Sequence, residues 1–91
     1  MTTIDPANQL LGADARATLE YVVKSIVDDP DAVQIEVDDS RGGEIVFRLH
    51  VGPTDMGRVI GKRGRVAQAI RQVVRAAATR DDIRVVVDIV D

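Results

Sequence analysis

Cysteine is absent from this 91-residue sequence, and its aromatic residues are one tyrosine and one phenylalanine. The absence of cysteine excludes disulfide frameworks, zinc or iron–sulfur sites with thiolate ligands, and thiol catalysis. Tyr21 and Phe47 alone cannot form a platform on which several bases stack. No apolar run approaches the roughly 18 residues of a membrane span, and the N-terminus lacks the basic and apolar regions of a signal peptide. We therefore expect a cytoplasmic protein with no membrane partner.

Positive charge is concentrated in one part of a chain whose overall charge is negative. The sequence has 12 basic and 15 acidic residues, which gives a formal net charge of −3. Residues 48–75 nevertheless contain seven basic residues and one acidic residue, whereas the rest of the chain carries a net charge of −9. A polyanion responds to the field within a Debye length of about 8 Å at physiological salt, so this local excess favours a nucleic-acid partner. The alternative is that the arginines only solvate a helix face.

The hydrophobic pattern predicts a single α+β domain in the order helix, strand, strand, helix, helix, strand. Ninety-one residues provide one small core. Helical periodicity begins at residue 13, so we expect an irregular N-terminal segment over residues 1–12 and the domain over residues 13–91. We expect a three-stranded sheet with the helices packed on one face. In the first half of the chain, the predicted elements are a helix over 13–28, ended by Pro30, and a hairpin of two strands around 33–37 and 45–51.

Two helices and one strand are predicted in the second half of the chain. Pro53 suits the first turn of a helix, and that short helix ends near Ile60. The longer helix that follows has an apolar face made of Val66, Ala67, Ile70, Val73, Val74 and Ala77. The last strand, over 83–90, is apolar on both faces because Val86 and Val90 interrupt its polar positions. This pattern indicates a strand that is covered or that associates with another chain.

The loop Gly61-Lys62-Arg63-Gly64, between the two helices, has the composition of a phosphate-binding turn. Glycines allow backbone N–H groups to approach a ligand closely, and the N-terminus of the following helix favours an anion. Lys62 and Arg63 add positive charge at the loop tip, and Arg58 and Arg65 flank the loop. Val59 and Ile60 precede the loop and are candidates for the apolar wall of a groove that holds bases. Such a groove suits a single-stranded backbone with splayed bases better than a duplex.

A structural explanation competes with the functional one at each of these positions. The two glycines could form a plain helix–helix turn, and Lys62 and Arg63 could be solvated loop charges. Arg58 and Arg65 could be ordinary surface residues. Of Val59 and Ile60, we expect one to belong to the core.

The sequence shows no catalytic or metal-binding arrangement. His50 has no second histidine, serine or cysteine organised around it, and the aspartate pairs and triplets flank turns, where aspartate is common. A nucleotide-binding P-loop is excluded because Met56 occupies its first glycine position and Arg63 replaces its serine or threonine. We therefore expect a protein that is not an enzyme and has no metal, cofactor or small-molecule substrate.

The element order and the loop together resemble a KH domain, whose GXXG loop clamps about four nucleotides. The order of elements is similar to the type II, bacterial arrangement. Residues 28–33 (DDPDAV), 56–64 (MGRVIGKRG) and 67–71 (AQAIR) resemble the small stand-alone KhpA family. The resemblance covers about residues 13–90, nearly the whole chain.

The resemblance implies an RNA chaperone or post-transcriptional regulator that binds single-stranded RNA. It assigns residues 61–64 to the phosphate loop, and Val59 and Ile60 to the groove wall. It also implies a homodimer, or a heterodimer with a larger KH-containing protein of the KhpB (Jag-like) family. The alternative is an interaction adaptor in which the KH scaffold mainly docks such a partner. The two-sided apolar last strand favours the adaptor.

Overall fold

The computed structural model describes residues 6–39, 43–80 and 82–90, and within them three α-helices and three β-strands follow the predicted order. The elements are α1 (Pro6–Ile26), β1 (Gln34–Asp39), β2 (Glu44–His50), α2 (Met56–Ile60), α3 (Arg65–Thr79) and β3 (Arg84–Ile89). Short 3₁₀ turns precede β1, α2 and α3, at Pro30–Ala32, Pro53–Asp55 and Lys62–Gly64. The predicted single α+β domain is confirmed. In the residues that the structure describes, no helix combines the length and apolar character that crossing a membrane requires.

The central strand of the sheet is β2. It pairs with β1 as an antiparallel hairpin, in which Val37 lies opposite Phe47. On its other side it pairs with β3 in parallel, with Val87 opposite Phe47. Residues 40–42, between the two strands of the predicted hairpin, lie outside the described residues. Parallel strands need a long crossover connection, and here that connection is the segment with α2, the glycine-rich loop and α3.

The core lies between one face of the sheet and the helices, as predicted. Alternate residues of β2, namely Ile45, Phe47 and Leu49, are at most 1% exposed, because side chains along a strand point to opposite faces. The first helix contributes three fully buried residues: Ala15, Leu19 and Val23. The long third helix contributes Ala67, Ile70, Val74 and Ala78. The open face of the sheet carries an ion pair between Arg48 and Asp38, a contact between His50 and Glu36, and Val86, which is 39% exposed.

Two details of the predicted fold are wrong. The first helix begins at Pro6, so residues 6–12 are helical rather than irregular. Proline suits the first helical turn, and the alanine and leucines that follow are strong helix formers, so helix propensity extends α1 beyond the clearly periodic stretch. Residues 1–5 lie outside the described residues, and the domain boundary at residue 13 stays a prediction. Val73 was assigned to the inner face of α3, but it is 46% exposed, because that face centres on Val74.

Candidate nucleic-acid interface

A buried carboxylate fixes the start of α2. Asp55 is fully buried, and its carboxylate accepts the backbone N–H of Asp28 at 2.9 Å and that of Asp29 at 3.1 Å. The hydrogen bond from Asp28 holds the pKa of Asp55 below its usual range, although burial acts in the opposite direction. The junction between α1 and β1 is thereby joined to the element that leads into the loop. This role of Asp55 could not be predicted from the sequence, because its partners are 26 and 27 positions away in the chain.

The side chain of Arg58, on α2, is paired with the same junction. Its Nη1 donates to Asp28 Oδ1 at 2.9 Å. Both side chains are well exposed, so the pair is screened by solvent and contributes little to stability. Arg58 is therefore close to the loop, as predicted, but its charge already has a partner.

Gly61 ends α2 in a conformation that only glycine accepts here. Its N–H donates to the carbonyl of Gly57 at 2.8 Å, and its φ of 75° is positive. A Cβ at this position would collide with the Val66 side chain and would lie 2.8 Å from Val66 Cβ and 3.0 Å from Val66 N. Residue 61 is thus where the chain turns tightly from α2 onto α3.

The rest of the loop is a 3₁₀ turn with two residues in the left-handed region. Arg63 has φ 56° and Gly64 has φ 72°. The Gly64 N–H donates to the carbonyl of Gly61 at 3.2 Å. Gly64 is also the N-cap of α3, and it has no side chain that could cap the first N–H groups of that helix. The Arg65 N–H donates to the Lys62 carbonyl, and the next N–H groups of the first turn remain free at the N-terminus of this 15-residue helix, where the dipole favours an anion.

The loop presents its positive charges to solvent. Lys62, Arg63 and Arg65 are exposed and line one shallow depression. No acidic partner within the described residues pairs with any of the three, in contrast to Arg58. The described residues contain no group of three or more histidine or acidic side chains that could hold a metal ion. The depression therefore has the charge and backbone geometry for an oxyanion such as a phosphate.

The two apolar residues ahead of the loop have different environments. Val59 is fully buried in the core, so its assignment to the groove wall is wrong: it faces the interior side of α2. Ile60 is 38% exposed next to Gly61 and remains available to a ligand. The expectation that one of the two belongs to the core is confirmed.

A further contact closes the gap between α3 and the outer edge of the sheet. Arg71, on α3, donates from Nε to the backbone carbonyl of Val87 on β3 at 3.2 Å. The side chain is half-buried, unlike the exposed Arg75 one turn later. Arg71 was not among the predicted site residues, because in the sequence it belongs to the polar complement of the helix.

Comparison with known proteins agrees with this geometry. The family model described as "KhpA/KhpB, KH domain" matches residues 16–89. A Clostridium acetobutylicum protein named "RNA-binding protein KhpA" is 52% identical over 73 residues, which are 79% of this chain and 95% of that protein. Proteins of the same name from Leifsonia xyli and Streptomyces coelicolor are 51% and 48% identical, over 80% of this chain and 92% and 87% of their own lengths.

The family match spans all three strands, both helices of the crossover and the second half of α1. It includes the loop, the buried Asp55 and the α3–β3 contact. The chain belongs to the KhpA/KhpB family of KH-domain proteins.

Proposed function

We propose that this protein binds single-stranded RNA and that residues 61–64 hold the sugar–phosphate backbone. The observation that carries the proposal is the geometry of this loop. The chain turns tightly at Gly61, which has no room for a Cβ, and the next turn contains two residues in the left-handed region. As a result, the N-terminus of α3, which no side chain caps, lies next to the exposed cations Lys62 and Arg63. An anionic ligand is stabilised there by helix dipole and side-chain charge together.

The similarity to proteins named RNA-binding protein KhpA supports RNA as the polyanion. The single-stranded form is favoured because KH loops clamp about four nucleotides and the bases must be splayed to be contacted. Phe47 is 1% exposed in the core, and the other aromatic residue, Tyr21, is 76% exposed on α1. A platform of stacked bases is not available on these two residues, so we expect base contacts to be mainly apolar, through Ile60, or hydrogen-bonded.

The test is a titration of a labelled single-stranded RNA of mixed sequence at two salt concentrations. The variant Lys62→Asp/Arg63→Asp is compared with wild type and with Arg16→Asp/Lys24→Asp, which makes the same charge change on the exposed surface of α1. We expect the loop variant to lose at least about ten-fold in affinity and the α1 variant to lose far less. Removing two phosphate contacts also makes the log–log salt slope shallower by about 1.4. Circular dichroism checks that each variant is folded.

Equal binding by wild type and the loop variant contradicts the proposal, as does the absence of binding by wild type. Equal losses in the two variants indicate that net charge, rather than the loop, governs binding. A loss confined to the loop variant supports the proposed backbone contact. We further propose that the protein acts in the cytoplasm and is not an enzyme.

The open face of the sheet supports a second candidate function, docking of a partner protein. Val86, in the centre of β3, is 39% exposed there, which fits the two-sided apolar pattern of the strand. The partner is a second copy of this chain or a larger KH-containing protein of the KhpB type. If docking uses this face, Val86→Lys abolishes association in sedimentation experiments. The same variant leaves the monomer's affinity for RNA unchanged. Arg84→Glu is the control on the same face.

A further inference from the structure

We propose that Lys62 is an acylation site, that acyl phosphates bound in the depression beside it supply the acyl group, and that its modification weakens RNA binding. The inference rests on the proposed function, because it assigns a form of regulation to the loop that is proposed to hold the RNA backbone. It also adds a second, small class of oxyanion to that site. The acyl phosphate supplies both the acyl group and the leaving group, so the reaction needs no other reactant.

Lys62 is the basic residue of its segment that acylation can neutralise. Residues 48–75 contain seven basic residues, and the other six are arginines. An arginine guanidinium stays protonated and is a poor nucleophile, whereas a lysine amine in its neutral form attacks activated acyl groups. A single acylation at Lys62 therefore removes one of the seven positive charges, and it removes that charge at the tip of the loop.

The two lysines of the chain have opposite electrostatic surroundings. Lys24, on α1, donates from Nζ to Glu20 Oε1 at 2.8 Å, so a carboxylate lies next to its amine. Lys62 is exposed, and it forms no ion pair with an acidic side chain in the ranges that the structure describes. Arg63 and Arg65 line the same depression as Lys62 and attract an anion to it. An anionic acylating reagent is therefore concentrated at Lys62 and repelled by the carboxylate beside Lys24.

The depression offers the donors that the phosphate end of an acyl phosphate requires. The free N–H groups in the first turn of α3 favour an anion, and Arg65 adds guanidinium donors that match phosphate oxygens. A phosphate held by these groups has its acyl carbon within reach of the Lys62 side chain, which lines the same depression. Holding the two reactants together in this way converts a bimolecular reaction into an effectively intramolecular one and accelerates it.

The transfer is a nucleophilic substitution at the acyl carbon. The neutral Nζ of Lys62 attacks the carbonyl carbon of the acyl phosphate, and a C–N bond forms. The C–O bond to phosphate breaks, its electron pair leaves with inorganic phosphate, and the proton lost by the nitrogen passes to water. The N–H groups and arginines that hold the phosphate also stabilise the charge that develops on it as it departs. The product is an uncharged amide, so the loop loses one positive charge and one contact with RNA phosphate.

The experiment acetylates the full chain with acetyl phosphate and, in parallel, with N-hydroxysuccinimidyl acetate, which carries no phosphate. Peptide mass spectrometry gives the ratio of acetylation at Lys62 to acetylation at Lys24 for each reagent. We expect this ratio to be at least about ten-fold higher with acetyl phosphate, because both reagents meet the same two amines and the depression binds only the anionic reagent. Inorganic phosphate, added as a competitor, removes this enrichment and leaves the ratio for the other reagent unchanged.

Paired variants test whether the depression causes the enrichment. Arg63→Gln/Arg65→Gln is expected to lower the enrichment toward one. Arg75→Gln/Arg80→Gln removes the same charge from exposed positions near the C-terminal end of α3 and is expected to keep the enrichment. The proposal is overturned if the two reagents give equal ratios on wild type. It is also overturned if neither inorganic phosphate nor the loop variant lowers the enrichment.

The effect on RNA binding is measured on wild type and Lys62→Arg, each before and after treatment with acetyl phosphate. We expect treated wild type to lose about three-fold or more in affinity, with a salt slope shallower by about 0.7. Lys62→Arg keeps its charge and cannot be acylated there, so its affinity is expected to stay unchanged. An unchanged affinity of wild type that is acetylated at Lys62 contradicts the proposed regulation.

Failure of this inference is distinguishable from failure of the proposed function. If the proposed function fails, RNA binding by the untreated protein does not depend on Lys62 and Arg63, whatever the acetylation ratios are. If only the acylation site fails, RNA binding still depends on these two residues, but the two reagents acetylate Lys62 and Lys24 in the same ratio.

Discussion

The carboxylate of Asp55 and the backbone N–H of Asp28 are hydrogen-bonded at 2.9 Å, although 27 positions separate them in the chain. The same carboxylate accepts the N–H of Asp29, so two donors of one junction depend on a single side chain. The junction connects α1 to the sheet, and Asp55 directly precedes α2. The position of residues 61–64 relative to the core therefore depends on Asp55.

Replacing Asp55 with alanine is expected to destabilise the protein strongly. The change leaves two N–H groups without acceptors next to a vacated buried site, so we expect the Tm to fall by about 5 to 15 °C. Thermal unfolding followed by circular dichroism measures the shift. Asp31→Ala is the control, because Asp31 is an exposed aspartate of the same junction. An equal, small shift in both variants would show that the buried hydrogen bonds contribute nothing specific.

The contribution of Asp55 to stability is expected to disappear in acid. The hydrogen bond from Asp28 lowers the pKa of Asp55 in the folded state below its ordinary value of 3.8. The unfolded chain then binds the proton more tightly, so the stabilisation is complete above pH 3.8 and decreases as the pH falls toward the folded-state pKa. Urea unfolding of wild type and Asp55→Asn between pH 6 and pH 2.5 measures the contribution of Asp55 to the free energy of unfolding. We expect the difference between the two proteins to shrink below pH 3.8; a constant difference contradicts the assignment.

Three glycines near the loop are expected to respond differently to alanine. Gly61→Ala costs about 2 to 4 kcal/mol, because the new Cβ meets the side chain and backbone of Val66 at a positive φ. Gly64→Ala costs about 1 to 2 kcal/mol, because its φ is positive but the space is open. Gly57→Ala, inside α2 with no atom within 4 Å of the new Cβ, is neutral or stabilising by up to about 1 kcal/mol. Urea unfolding gives all three values, and any other order contradicts the loop geometry.

Releasing Arg58 from its ion pair is expected to strengthen RNA binding. Asp28→Asn removes the carboxylate 2.9 Å from Arg58 Nη1 and leaves the guanidinium free to contact phosphate. We expect affinity to rise about two- to five-fold, with a salt slope steeper by up to about 0.7. Asp31→Asn removes the same charge from the same junction without touching Arg58. If both variants gain equally, the gain reflects net charge, and Arg58 lies outside the RNA contact.

The fold was largely predictable because its signals are local and repeated. Alternation along β1 and β2, and the apolar stripe of α3, each reflect a buried face that the structure confirms. The unusual backbone expected at the glycines of the loop is present at Gly61 and Gly64, whereas their role in RNA binding stays a prediction. The predictions were wrong or incomplete where tertiary packing determines which side chain is buried. Val59 and Ile60 are adjacent and similar, and the rotation of a five-residue helix determines which one is buried.

The roles of Asp55 and Arg71 were not predictable for the same reason. Each depends on a backbone partner from a distant element, Asp28 in one case and Val87 in the other. An aspartate after Gly-Pro-Thr resembles an ordinary helix-start residue, and an arginine on the polar side of α3 resembles a solvated charge. The Gly52-Pro53 pair before Asp55 predicts a turn. The pair does not predict which backbone N–H groups donate to the Asp55 carboxylate.

The parallel pairing of β2 with β3 has a consequence for the order of folding. The hairpin of β1 and β2 closes over a few residues, whereas β3 joins β2 only after the whole intervening crossover has been ordered. β3 is the last of the described strands to leave the ribosome, and its Val87 carbonyl is the acceptor that Arg71 of α3 uses. A nascent chain that already displays Lys62 and Arg63 therefore lacks the contact between α3 and the sheet edge, which forms only when β3 docks.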